Sequence, residues 1–327
     1  MIRTASDQTT AVAFLGIALF GGVNAIAVRF SNQELAPFWG ASFRFAIASG
    51  LLFGVMAVRG IPMPRGAALR GALLYGLFGF AAAFGFLYFG LVNAPASVAA
   101  IVLALVPLLT FLFAVGQGQE RFRGQSLLGA VISLVGVAFV FGEGVGAAVP
   151  IISIAAILAG AASMAESNVV VKRFPKCHPT ANNAIAMGVG AAVLLVAALV
   201  AGERLALPTE AKTWAAVGYL SLIGSIVVFS LFLFVISRWS ASATSYVMLL
   251  MPLVTITIAA ILANEAVTAA FLLGGLLVVV GVYIGAFAPP LNRLLARRPA
   301  DRTPTLSPVP ARATEPGQPA STHPGCA

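Results

Sequence analysis

"ALVPLLTFLFAVGQGQE" spans Ala104–Glu120, and "LLMPLVTITIAAILANE" spans Leu249–Glu265. Each sets a Pro at the fourth position of an apolar run, follows it with Leu, places Thr three residues after the Pro and reaches a Glu thirteen residues after it. A proline inside a helix removes a backbone hydrogen bond and bends the chain, so writing this arrangement twice needs a reason.

The surroundings say what kind of segment this is. Of 327 residues, 60% are hydrophobic and only 9% are charged, and the mean hydropathy is +1.00. Soluble chains carry about 25% charged residues, and so few charges cannot cover the surface of a folded chain in water. The solvent is therefore lipid. Ten apolar stretches have the length of roughly 17 to 25 residues that crosses a bilayer as a helix. They lie at about 11–28, 38–58, 71–92, 96–116, 125–142, 149–171, 182–201, 214–236, 241–263 and 270–287. No run of alternating polarity suggests a β-barrel. The third and fourth stretches are separated only by a turn marked by Asn93 and Pro95, which predicts a tight helical hairpin. The first stretch has a weak n-region and nine spans behind it, so it reads as retained rather than as a cleaved signal.

Basic residues set the orientation, because Lys and Arg in short loops stay on the cytoplasmic side. One side gathers Arg3, then Arg59, Arg65 and Arg70, then Arg121 and Arg123, then Lys172, Arg173 and Lys176, then Arg238, and finally the tail arginines. The other side has Arg29, Arg204 and Lys212. The expectation is a multi-pass plasma (inner) membrane protein with both termini cytoplasmic. The net charge of +9 has the same origin, and nucleic acid is not an expected partner, since no folded basic face is present. Residues 1–10 form a cytoplasmic N-terminus. Residues 288–327 hold nine of the nineteen prolines and no apolar period, which predicts a disordered Pro-rich cytoplasmic tail. Cys177 with His178, and His323 with Cys326, match no zinc spacing, so neither a metal nor a cofactor is expected.

The opening pair belongs to a longer duplication. Adding 145 to a position maps Gly79 to Gly224, Phe84 to Phe229, Ser97 to Ser242, Pro107 to Pro252, Thr110 to Thr255, Glu120 to Glu265, Gly129 to Gly274 and Gly136 to Gly281 without a gap. With the offset reduced by one, Asn24 meets Asn168 and "VRF" meets "KRF". The fold class expected is all-α integral membrane, with ten transmembrane helices as two five-helix inverted-topology repeats, 11–145 and 146–287. An odd number of spans per half makes the two halves enter the membrane in opposite senses. Pro107 and Pro252 are then paired helix kinks lining a central cavity that opens alternately to either side. Taken singly, either proline could merely shape helix packing.

These residues carry a resemblance. "GGVNAIAVRF" (residues 21–30), "FRF" (43–45), "FGLVNAPASVAAIVLALVPLL" (89–109) and "GQERFRGQSLLGAVISLVGV" (118–137) resemble the EamA-type members of the drug/metabolite transporter superfamily. The resemblance runs from about residue 11 to 287 and departs at Gly21, where the family usually has Trp. It implies a ten-helix secondary transporter whose relatives export amino acids, metabolites or drugs, while others exchange nucleotide sugars or phosphorylated sugars.

Polar groups within spans are the candidate substrate-binding residues, since each is costly in hydrocarbon. Arg44 could contact substrate or clamp helix-end carbonyls. Asn24 and Asn168 are inverted mates. Glu166 could carry a coupling proton or hold an ammonium, or could pair with Lys172 or Arg173 at the membrane edge. Tyr88, among the phenylalanines of helix three, and Tyr246, near Ser225, Ser245, Met248 and Thr255, offer hydroxyls. Phosphate recognition wants several Lys or Arg forks, and Arg44 is the sole cation within a span, so a small amphipathic solute such as an amino acid fits better. The runner-up is export of drugs or other metabolites. A membrane-embedded enzyme would need a catalytic constellation, and the only aspartates, Asp7 and Asp301, lie outside the spans. The Gly-rich fifth and tenth helices could serve a homodimer face or brace each half.

Overall fold

The computed structural model describes residues 5–94, 99, 102–141, 150–263 and 269–287. Among them the chain forms helices joined by short loops and turns, with no strand. We number the helices α1 (Ala5–Ser31), α2 (Pro37–Arg59), α3 (Gly66–Leu91), α4 (Val106–Gly116), α5 (Gly124–Phe141), α6 (Ile151–Arg173), α7 (Pro179–Val200), α8 (Ala211–Arg238), α9 (Val247–Ala263) and α10 (Ala269–Val282). A one-turn helix, Ala241–Ser245, precedes α9. All lie in one unit, Met1–Pro289; the rest of the chain, with the Pro-rich tail, His323 and Cys326, falls outside the described residues, as do Pro95, Ser97 and Glu265.

Six helices, at Gln8–Val28, Pro37–Arg59, Gly66–Leu91, Ile151–Arg173, Pro179–Val200 and Ala211–Arg238, are long and apolar enough to cross a membrane. The other four expected spans correspond to shorter apolar helices, Val106–Gly116, Gly124–Phe139, Ala241–Thr255 and Leu273–Gly285, each close to residues outside the described set. Large apolar side chains cover the outer faces, among them Val58, Ile151 and Val200, each at least 84% exposed. Water would penalise such a surface and lipid does not.

Local chemistry starts and stops these helices. Pro37 occupies the first turn of α2, where its missing N–H costs nothing, and Gly60 closes that helix at φ 62°. The Glu203 carboxylate, from beyond α7, accepts from the Phe38 and Trp39 amides at 3.2 and 2.8 Å and so caps α2. Pro179 likewise opens α7, where His178 Nδ1 accepts from the Thr180 amide at 3.3 Å.

Packing interleaves the two stretches of chain. α2 lies antiparallel on α7, with Ser42 Oγ donating to the Ala191 carbonyl and Ser49 Oγ to the Ala184 carbonyl, both at 2.8 Å. α5 lies antiparallel on α10: Gly129 faces Gly281 and Gly285, and Gly136 faces Gly274. The Gly-rich faces of these two helices are therefore turned toward each other within one chain. α1 packs on α8 and α9, whereas α6 packs on α3 and α4. Tyr283–Phe287, directly after α10, is π-helical, and two of the longer helices carry internal π-helical turns, Leu77–Ala82 in α3 and Leu222–Val227 in α8. The offset of the sequence duplication superposes one on the other.

Candidate functional site

The interleaving leaves a cavity of about 250 Å³ among α1, α2, α3, α6, α8 and α9. Its walls are Ile17, Gly21 and Val28 of α1, Phe84 and Leu87 of α3, Met164 of α6, Val228, Phe229 and Phe232 of α8, and Met248 and Met251 of α9. Gly79, inside the first π turn, also lines it. Gly21 faces the Met251 side chain, which occupies the space that a larger residue at 21 would need. Drug-sized ligand pockets run from roughly 300 Å³ upward, so this one suits a small solute.

Polar groups enter this apolar shell at five points: Asn24, Arg44, Tyr75, Ser167 and Asn168. Arg44 is 3% exposed, and its guanidinium carbon lies 4.4 Å from the Phe45 ring centroid and 5.1 Å from that of Phe84. Cation–π contacts stabilise it partly. Its Nε has no hydrogen-bond partner, and no bond joins it to a helix-end carbonyl among the described residues. Asn24 Nδ2 donates to the Gly224 carbonyl at 3.2 Å, while its Oδ1 is unpartnered, as is the Tyr75 hydroxyl. Asn168 Nδ2 donates to Thr110 Oγ1 at 3.2 Å. Buried polar atoms without partners are rare because each costs about 1–3 kcal/mol. Here three of them belong to residues that line one cavity.

The structure thus brings together Asn24, Arg44 and Asn168, with Tyr88 beside them within Coulomb range of Arg44, while Tyr246 and Glu166 make their contacts elsewhere. Tyr88 stands next to the site rather than on its wall, its ring 6.1 Å from that of Phe84. Tyr246 is 1% exposed and donates to the Ser126 carbonyl at 2.6 Å, tying the start of α9 to α5. Glu166, within α6, meets the end of α4, where Gln117 Nε2 donates to both its oxygens at 2.9 and 3.0 Å and Arg173 donates to Gln117 Oε1 at 3.3 Å. Among the described residues no ion pair joins Glu166 to Lys172 or Arg173; Gln117 stands between Glu166 and Arg173. The two prolines differ in place. Pro107 stands in the first turn of α4, because that helix starts only at Val106. Pro252 is inside α9, and the carbonyl it deprives of an amide donor belongs to Met248, a cavity residue. Neither proline lines the cavity itself. Tyr75, Ser167, Phe229 and Phe232 were not singled out by sequence as binding residues. Tyr75 stands one turn before the repeated Gly79, which is the signal that could have found it.

Carboxylates join chain segments at the ends of the helices. Glu120, the last residue of the repeated sentence, accepts from the Ser242 amide at 3.0 Å and from its hydroxyl, capping the one-turn helix before α9. Glu34 accepts from the Thr209 hydroxyl, the Thr209 amide at 3.0 Å and the Glu210 amide at 3.2 Å, at the start of α8. Among the described residues no three His, Cys, Asp or Glu side chains gather as a metal site would require.

Comparison with known proteins gives concordant results. The model of the EamA-like transporter family matches residues 8–142 and again 151–286. The "Uncharacterized inner membrane transporter YedA" of Escherichia coli K12 is 31% identical over 236 residues, covering 72% of this chain and 76% of its own. A "Probable amino-acid metabolite efflux pump" of the same organism is 24% identical over 286 residues, covering 83% of this chain and 92% of its own. A solved structure described as "Crystal structure of protein" superposes with a TM-score of 0.73 at 22% identity, over 89% of this chain and 98% of that one, which shows a common fold.

Proposed function

Because the chain belongs to the EamA-like transporter family, we propose that it exports small amphipathic metabolites, amino acids foremost, by alternating access about the central cavity. The observation that carries this reading is the set of buried polar groups without partners on Arg44, Asn24 and Tyr75, three residues that line an otherwise apolar cavity. A carboxylate meets the guanidinium, where a charge-assisted bond is about twice as strong as a neutral one. An ammonium meets the Asn24 and Tyr75 oxygens. Phe84, Phe229, Phe232 and the two methionines receive an apolar side chain. A single cation suits one carboxylate and is too little for a phosphorylated sugar. The efflux pump among the relatives supports the same class by its description.

The reading includes ten spans in two inverted halves, in the inner membrane, with both termini in the cytoplasm. Three reciprocal features support the inversion. α1 packs on the third and fourth helices of the second half as α6 does on those of the first, π turns recur at equivalent places, and the family model matches twice. Alternating access then amounts to breaking the helix-end contacts at one end of the cavity while those at the other hold. The family match and the relatives' descriptions support a transporter rather than an enzyme.

The test is counterflow of a panel of radiolabelled amino acids into proteoliposomes, with wild type, Arg44→Gln and Glu166→Gln. Saturable exchange that Arg44→Gln abolishes and Glu166→Gln leaves intact is the expected result. Absence of exchange for every amino acid, from protein shown to be folded, would overturn the amino-acid assignment and direct the search to drugs and other metabolites.

A further inference from the structure

A second site emerges at the end of the molecule where α6 and α8 stop. Two cavities there, about 310 and 430 Å³, share Lys172 and Arg238 as lining residues. The first is walled largely by apolar side chains, including Ala72, Val170, Phe174, Leu233 and Phe234, and adds Lys176. Three cations from three places in the chain, the end of α6, the α6–α7 connection and the end of α8, therefore border these adjoining cavities, two of them shared by both.

Their states differ in a way that suggests a ligand. Arg238 is fixed: its guanidinium lies 3.6 Å from the Phe234 ring centroid and donates to the Phe234 carbonyl at 3.3 Å. Lys176 is fixed by the Ser237 carbonyl at 3.2 Å. Both thus sit on the C-terminal carbonyls of α8, a favourable place for cations. Lys172 is half-buried and donates to no described residue, although it lies within Coulomb range of Lys176 and Glu120. Glu120 is the acid lining the second cavity, and both its oxygens are taken by Ser242. Positive charge is in excess, and one ammonium is unspent. The bias of basic residues toward one side of a membrane accounts for cations at such an end; it does not require them to converge on a void with apolar walls.

We propose that these paired cavities bind a phosphate ester anion bearing an apolar extension. The phosphate oxygens take the free donors of Lys172, Lys176 and Arg238, and the extension lies along Phe174 and Leu233. The four spans that begin or end here, α3, α6, α7 and α8, put the site at the membrane edge, where phospholipid headgroups are concentrated and basic pockets between helices recognise them. An anionic phospholipid and a soluble phosphate ester share this chemistry. The site is separate from the central cavity, so it stands whether or not amino acids are the cargo.

Thermal unfolding of the full chain tests it, in nanodiscs of phosphatidylcholine with or without phosphatidylglycerol, and in detergent with or without glycerol phosphate. Phosphatidylglycerol is expected to raise the Tm of the wild type, because a ligand that binds only the folded state stabilises it. Lys172→Gln, which breaks no hydrogen bond, should keep the phosphatidylcholine Tm and lose more than half of that increment, while Lys172→Arg keeps it. Should Lys172→Gln fold poorly, Arg238→Gln is the second reading. A rise with glycerol phosphate assigns the site to soluble esters as well; a rise with phosphatidylglycerol alone assigns it to lipid. The proposal is overturned if neither probe raises the Tm, if the increment survives both Gln variants, or if Arg65→Gln, an exposed cation outside both cavities, removes as much of it as Lys172→Gln.

Discussion

Asn24 Nδ2 donates to the carbonyl of Gly224, a residue two hundred positions further along the chain and inside the π turn of α8. The bond holds the amide against the Gly224 backbone and leaves its Oδ1 without a partner. π turns widen a helix locally and recur at functional sites because they displace backbone groups from their ordinary partners. The Gly224 carbonyl is then spent on positioning a residue of the cavity wall.

Gly224→Ala tests this arrangement directly, since a Cβ at 224 collides with the Asn24 amide. The expected outcome is loss of about 1–3 kcal/mol of stability, as for other overpacked sites, together with loss of exchange. Thermal unfolding and counterflow measure the two. Combining it with Asn24→Ala should restore stability and leave exchange lost.

Arg44→Lys keeps the charge and discards the planar fork. If Arg44 holds a carboxylate, substrate affinity should fall by about ten- to a hundredfold, the equivalent of roughly 1.5–3 kcal/mol for a hydrogen bond to a charged group. Half-saturation in counterflow reads this out. An unchanged half-saturation would return Arg44 to a packing role on Phe45 and Phe84.

The α5–α10 contact predicts a stability effect without a binding effect. A side chain at Gly281 would press on Ser133 and on the Gly129 backbone. Gly281→Val should destabilise by about 1–3 kcal/mol and leave the half-saturation of whatever protein folds unchanged. A changed half-saturation would mean that this contact shapes the cavity.

Glu34 supplies a pH test outside the spans. The Thr209 hydroxyl, with the Thr209 and Glu210 amides, holds its carboxyl at about 2, down from the ordinary 4.5. A folded value below the unfolded one means that the contact contributes above pH 4.5 and fades as the pH falls toward 2. The difference in Tm between wild type and Glu34→Gln should therefore be constant near neutrality and shrink between pH 4.5 and 2. A difference that grows on acidification would refute the assignment.

Glu120→Gln removes the charge that caps the helix before α9 while preserving its shape. Loss of such a cap costs about 1 kcal/mol. If this contact closes one end of the pathway, zero-trans efflux should change while substrate half-saturation does not.

The helices were legible because lipid imposes a length and a composition on them, and the duplication because Gly, Pro and Glu recur at one spacing. Facing was not. Successive residues of a helix turn by about 100°, so Glu166 and Asn168 look alike in sequence although only the second borders the cavity. Tyr246 and Met248 differ in the same way, and the tyrosine goes to Ser126. The paired prolines looked equivalent because their flanking residues are; the start of α4 at Val106 separates them. No residue type marks a π turn, so those turns came from the structure alone.

The packing of α1 on α8 and α9 has a consequence for synthesis. α1 leaves the ribosome before its partners, which emerge some two hundred residues later, and until then the groove that will hold it does not exist. Contacts of such sequence separation close slowly. The newborn chain must keep α1 dispersed in lipid while α2 to α7 are inserted, so truncation before α8 should leave an intermediate whose first helix is exposed to the membrane's quality-control proteases.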